Sequence, residues 1–291
     1  MSGHLTWMLI CALPPLLAAT MAAAEPETVF FQSADGRTEI VGYLFKPAIA
    51  GPHGAVVLLH GRGGPYSTND NADCTFVSRS AVSPCNAGTL SKRHRMWGEY
   101  WAERGYLALL PDSFGPRGKA HGFGRFTHGD SDRDDVNEKT VRPLDAEGAL
   151  AFLRSRDDVI AKRIFLQGWS NGGSTALNVM IRQGAQAAGF RAALVFYPGC
   201  GNKALLAPVV STTAPIAMFL GSDDEEVSPE ICQRVAERSR DAGVKIDVTL
   251  YPGATHDFDD PGGKRQSVPG NQTAKQDAME KAIAIVEGMR E

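Results

Sequence analysis

The stretch "FLQGWSNGGSTAL", residues 165–177, decides how this chain of 291 residues is read. An apolar run through Ile164, Phe165 and Leu166 gives way to Gly168, Ser170, Gly172 and Gly173, crowded around one hydroxyl. Apolar spacing then resumes at Ala176, Leu177 and Met180. A continuous apolar run followed by helical spacing reads as a strand passing straight into a helix. Between the two, Gly168-Trp169-Ser170-Asn171-Gly172 fits Gly-x-Ser-x-Gly, the pattern of a serine raised on a strained strand-to-helix turn. Glycines two places before and after the serine remove side chains that would clash with neighbouring strand and helix. Serine is also an ordinary helix N-cap, so the pattern needs partners elsewhere in the chain.

The same strand-then-helix alternation extends in both directions. Upstream, "TVFFQS" and "EIVGYLFKP" flank a turn at Asp35-Gly36 and read as a hairpin. "GAVVLLH" and "YLALL" have the β-branched, continuously apolar character of strands buried on both faces, with an amphipathic helix over "KRHRMWGEYWAERG" between them. A helix through Val141, Leu144, Ala149 and Leu153 leads to the strand "RIFLQG". Beyond it follow a helix over 171–184, strands "AALVFYP" and "PIAMFLG", a helix over 229–241, the strand "KIDVTLYP" and a last helix over 272–289. Such alternation predicts an α/β protein with a mostly parallel central sheet and helices on both faces. Two long polar segments, 61–90 and 112–137, interrupt it, and loops of that length commonly carry function.

At 43% hydrophobic and 22% charged, the chain can bury one substantial core. Its formal charge of -3 gives no basic footprint for nucleic acid. The N-terminus is distinct: "LTWMLICALPPLLAATMAAA" carries no charged side chain and ends in small residues before Glu25. That pattern predicts a signal peptide over 1–24, a mature domain over 25–291 with no membrane segment, and a periplasmic or secreted location. In an oxidising compartment the four remaining cysteines can pair in three ways. Cys74 with Cys85, leaving Cys200 with Cys232, is favoured because the first pair closes a short loop; buried free thiols are the alternative. None has zinc-site spacing, and no histidine pair stands at the i, i+4 separation of a helical metal site, so neither metal nor cofactor is expected.

A serine hydroxyl is a poor nucleophile at neutral pH unless a base takes its proton and a carboxylate orients that base. Both groups occur downstream, each just past a strand: Asp223 and Asp224 in "MFLGSDDEEVSP", and His256 in "LYPGATHDF". The order Ser, Asp, His is that of the α/β-hydrolase fold. An oxyanion would need two backbone donors. Asn171 N–H opens the helix after the serine, and Arg62 N–H lies in "LLHGRGG" at the end of an early strand.

Taken together, His60-Gly61-Arg62-Gly63-Gly64, "GYLALLPDSFGPRG", "GWSNGG", "GSDDEEVSP" and "YPGATHDFD" resemble the dienelactone hydrolase family of α/β-hydrolases, in particular its exported members with a serine nucleophile. The resemblance covers most of residues 28–290. It implies a triad of Ser170, Asp224 and His256, with Asp224 chosen over Asp223 because the family's acid stands three residues after a glycine and three before a valine. It also supports the Cys200–Cys232 pair. The chain departs from the family at two points: Ser170 stands where dienelactone-opening members usually have cysteine, and Gly61 replaces a glutamate that works with that cysteine. The implied activity is therefore hydrolysis of small esters or lactones in general, through an acyl-enzyme. A non-catalytic binding protein on this fold and a peptidase or acyltransferase on the same triad are the alternatives.

Further readings concern the surroundings of the serine. His60 reads as a residue that positions its loop rather than as a second base. Trp169 either lines the acyl pocket or packs beneath the turn. Tyr66 and Arg117, from the two long loops, are candidates to frame the substrate.

Overall fold

The computed structural model describes residues 25–289 apart from 70 and 187. The signal-peptide expectation for 1–24 lies outside the described residues. Eight strands form one sheet in the order β1-β2-β4-β3-β5-β6-β7-β8. These are β1 (Glu27–Gln32), β2 (Glu39–Phe45), β3 (His53–Leu59), β4 (Tyr106–Asp112), β5 (Val159–Trp169), β6 (Ala193–Phe196), β7 (Ile216–Gly221) and β8 (Ile246–Tyr251). β1 and β2 are the antiparallel hairpin expected around Asp35-Gly36, and β2 also pairs antiparallel with β4. The other strand pairings of the sheet are parallel.

Helices α1 (Lys92–Glu103), α2 (Arg142–Arg154), α3 (Asn171–Gln183), α4 (Pro229–Asp241), the one-turn α5 (Gly263–Gln266) and α6 (Pro269–Glu287) complete the fold. Strand residues alternate between two apolar layers. On β3, Ala55, Val57 and Leu59 pack towards α2, α3 and α4, while Val56 and Leu58 pack towards α1 and α6. That is why β3 reads as an uninterrupted apolar run: both of its faces are covered. The last helix starts at Pro269, three residues before its apolar pattern suggests, because proline suits the first turn of a helix.

The long segment 61–90 is pinned by a disulfide between Cys74 and Cys85, and Cys200, beyond β6, is bonded to Cys232 on α4. Both pairs are the ones favoured from the sequence. No helix among the described residues is long and apolar enough to cross a membrane.

Candidate active site

Ser170 is the single residue between β5 and α3, and its backbone sits at φ 52°, ψ -119°. A β-carbon disfavours positive φ, and residues held there cluster at functional sites. The flanking glycines are what permit this turn. A Cβ on Gly172 would stand 2.0 Å from the Leu59 carbonyl oxygen, and one on Gly168 would stand 2.3 Å from that of Gly172. The hydroxyl is not sealed in. Ser170 retains 9% exposure and opens into a cavity of about 360 Å³ whose wall includes Arg62, Tyr66, Arg93, His94 and His256.

Two side chains distant in sequence meet that hydroxyl in one hydrogen-bonded line. His256 Nε2 lies 3.0 Å from Ser170 Oγ, and its Nδ1 lies 2.8 Å from Asp224 Oδ2. A carboxylate only accepts, so Nδ1 carries the proton and Nε2 is left as the acceptor for the serine O–H. Asp224 is fixed through its other oxygen, which accepts from the backbone N–H groups of Glu226 (2.8 Å) and Val227 (2.9 Å). Asp223 does not reach the imidazole; its carboxylate accepts from the neighbouring Ser222 hydroxyl at 2.7 Å. Burial opposes protonation of His256, but the hydrogen bond to Asp224 and the carboxylates of Asp257, Asp224 and Glu226 outweigh it, so the imidazole pKa stands above the ordinary histidine value.

His60 plays the positioning part expected of it. Its Nδ1 donates to the Gly61 carbonyl at 2.8 Å, and its Nε2 accepts from Ser113 N–H at 3.2 Å. Burial, aided by nearby Arg142, holds its pKa well below the ordinary value, so it stays neutral. Asn171 is the first residue of α3, so its N–H has no partner within the helix. Arg62 lies in the cavity wall.

The three substrate-framing candidates fare differently. Trp169 is fully buried and its indole N–H donates to Asp259 at 2.8 Å, so it packs beneath the turn and does not line the acyl pocket. Tyr66 reaches the cavity, but its hydroxyl is committed to Asp112 at 2.8 Å and to Tyr43 at 2.7 Å. Arg117 is not in the cavity wall; it forms a two-pronged bridge to Asp145, each prong 2.8 Å long.

Two groups at the site were not singled out from the sequence. The Glu226 carboxylate, 7% exposed, takes a forked grip from the Arg62 guanidinium at 3.0–3.1 Å, forms an ion pair with Arg125 at 2.8 Å, and lies 3.8 Å from His256 Nε2. Arg142 is fully buried, donating to the His60 carbonyl at 2.7 Å and to the Asn171 side-chain oxygen. The acidic run "DDEE" is the local signal that could have marked Glu226, but nothing local distinguishes Arg142 from a surface arginine at the start of a helix. Glu226, His256 and Asp257 also bring potential ligand atoms within 4.8 Å of one another. Their polar atoms are engaged, by Arg62 and Arg125, by Ser170 and Asp224, and by Arg93 respectively.

A serine on a positive-φ elbow after the central strand, with an acid and a histidine past β7 and β8, defines an α/β-hydrolase. The chain belongs to the dienelactone hydrolase family, whose model matches residues 86–289. Among solved structures, it is similar to P91, a dienelactone hydrolase-like promiscuous phosphotriesterase from metagenomic libraries (21% identity, 90% of this chain and 97% of that one, TM-score 0.63). It is also similar to the propionate-bound esterase Est2 of Thermogutta terrifontis (20% identity, 94% and 98%, TM-score 0.60). A further neighbour is esterase 2 of that organism phosphorylated by paraoxon (21% identity, 94% and 98%, TM-score 0.61). No curated protein matches the chain.

Proposed function

We propose that this protein is a serine hydrolase of small carboxylic esters or lactones. The observation that carries the reading is the unbroken line from Ser170 Oγ through His256 to Asp224, at 3.0 and 2.8 Å, opening on a cavity. In this scheme Ser170 Oγ attacks the ester carbonyl as its proton passes to His256 Nε2, and Asp224 stabilises the resulting imidazolium. The carbonyl oxygen takes up the negative charge and is met by the N–H groups of Arg62 and Asn171, close to the positive end of the α3 dipole. Collapse expels the alcohol, which receives the proton from His256. Water then repeats the sequence on the acyl-serine and releases the acid. The cavity wall favours compact, polar substrates over long alkyl esters, since among the described residues Tyr66 is its only large apolar surface and glycines, charged and hydroxyl side chains dominate the rest. The pair of disulfides supports a periplasmic or secreted location.

Labelling with a fluorophosphonate tests the reading directly, and the paraoxon-phosphorylated esterase among the structural neighbours makes this probe class apt. Modification at Ser170, together with a folded Ser170→Ala variant whose ester turnover is lower by about 10⁴–10⁶, is the expected result. An unlabelled Ser170 would favour a binding protein on this fold. Labelling with turnover of peptides but not of short esters would favour a peptidase.

A further inference from the structure

Arg142 is a cation where the fold should not tolerate one cheaply. Its side chain is fully buried, and burying an unpaired charge costs several kcal/mol even after relaxation. Among the described residues no carboxylate oxygen lies within 4 Å of its guanidinium. The acidic groups nearest to it already have partners. Asp145 is bridged by Arg117 at 2.8 Å, Glu138 faces Arg133 at 4.0 Å, and Asp112 accepts from the Tyr66 hydroxyl and two backbone N–H groups. Burial pulls its pKa down to about 10, the carboxylates of Glu138, Asp145 and Asp112 only partly offsetting this, which still leaves it charged at neutral pH.

Its two donor contacts show where the charge is directed. One nitrogen donates to the backbone carbonyl of His60, two residues before Arg62; the other donates to the side chain of Asn171. Those are the two strand-end segments from which the oxyanion donors of the proposed reaction come. The Phe114 ring centroid lies 5.0 Å from the guanidinium, and full burial keeps bulk solvent from screening the charge. In a site of low effective dielectric, a fixed charge acts over longer distance than it would in water.

We propose that Arg142 is a positioning and electrostatic residue of the oxyanion hole. It ties the β3 loop to the nucleophile turn and supplies a buried positive field that favours the oxyanion over the neutral carbonyl. This rests on the serine-hydrolase reading. The cost of burying the cation is then offset further when negative charge forms on the substrate, which is the differential stabilisation that raises kcat.

The test compares Arg142→Met and Arg142→Gln with the unaltered protein, using p-nitrophenyl acetate and an aryl trifluoromethyl ketone. Ser170 Oγ adds to that ketone, its proton moves to His256, and the ketone oxygen becomes a stable oxyanion. Glutamine keeps a polar amide without the charge, so it covers the case in which methionine does not fold. Both variants are expected to lose kcat and ketone affinity in parallel, by about tenfold or more against the 10²–10³ cost of deleting a direct donor, with KM little changed. Unchanged ketone affinity in Arg142→Gln, or a fall in kcat with no matching loss of ketone affinity, would overturn the proposal. If the unaltered protein neither hydrolyses the ester nor takes fluorophosphonate at Ser170, it is the serine-hydrolase reading that fails.

Discussion

At the scale of single residues, the site is governed by charge placed around one imidazole. Because its neighbours raise the His256 pKa, the acid limb of kcat/KM is expected to have its midpoint above the ordinary value of 6.5, with activity falling as pH drops through it. For stability the sign is the reverse of that for a buried carboxylate. The contribution of His256 is fully present below pH 6.5 and is lost as pH rises through the folded-state value. Removing Glu226 leaves Arg62 and Arg125 facing the imidazole without their shared carboxylate. Glu226→Gln should therefore lower the midpoint of the acid limb, measured in the same pH–rate profile, and an unmoved midpoint would count against this account. Asp224→Asn keeps the shape but can hold His256 in the wrong tautomer, so kcat should fall by about 10⁴ while the fold survives, as judged by circular dichroism. Ser170, Asp224 and His256 were legible because each follows a strand signal and their order is restrictive. Arg142 was not, because its meaning comes from the two segments it joins, and neither contact is local in sequence. Trp169 could not be placed from the sequence, since a tryptophan beside the serine can face either way until Asp259 is seen to accept its N–H.

At the scale of elements, the β5–α3 turn depends on backbone clearance more than on side-chain packing. Gly172→Ala forces a methyl against the Leu59 and His60 carbonyls at 2.0 and 2.5 Å. It is expected to destabilise by more than about 2 kcal/mol, placing it among the severe single substitutions. Thermal unfolding measures this, and a melting temperature equal to that of the parent would show that the turn can relax. The Cys200–Cys232 bond ties the segment after β6 to α4, which begins just beyond the acid loop. Replacing both cysteines by alanine should cost about 2–4 kcal/mol, read as an earlier denaturant midpoint. The strands and helices are well marked in the sequence wherever the apolar period is long. The two long polar segments are not, because their order comes from a disulfide, from short turns and from ion pairs such as Arg125–Glu226, none of which has a periodic signature.

At the scale of the whole molecule, the sheet order places β3 and β5 side by side at its centre, although α1, β4 and α2 intervene in the chain. The loop carrying Arg62 and the turn carrying Ser170 become neighbours only once that crossover is complete, whereas Asp224 and His256 arrive on the two strands at one edge, β7 and β8. The α/β class followed from alternation alone, but which strands would be adjacent did not, since many strand orders satisfy the same pattern.

Beneath the Ser170 turn, Trp97 and Trp169 share the buried Asp259 carboxylate, with Trp101 stacked 6.2 Å from Trp97. This indole cluster gives the protein an intrinsic optical probe beside the Ser170 turn. Excitation in the indole band should report acylation of Ser170 as a change in emission intensity or wavelength, with no dye and no chromogenic ester, so that colourless natural compounds can be screened by stopped flow.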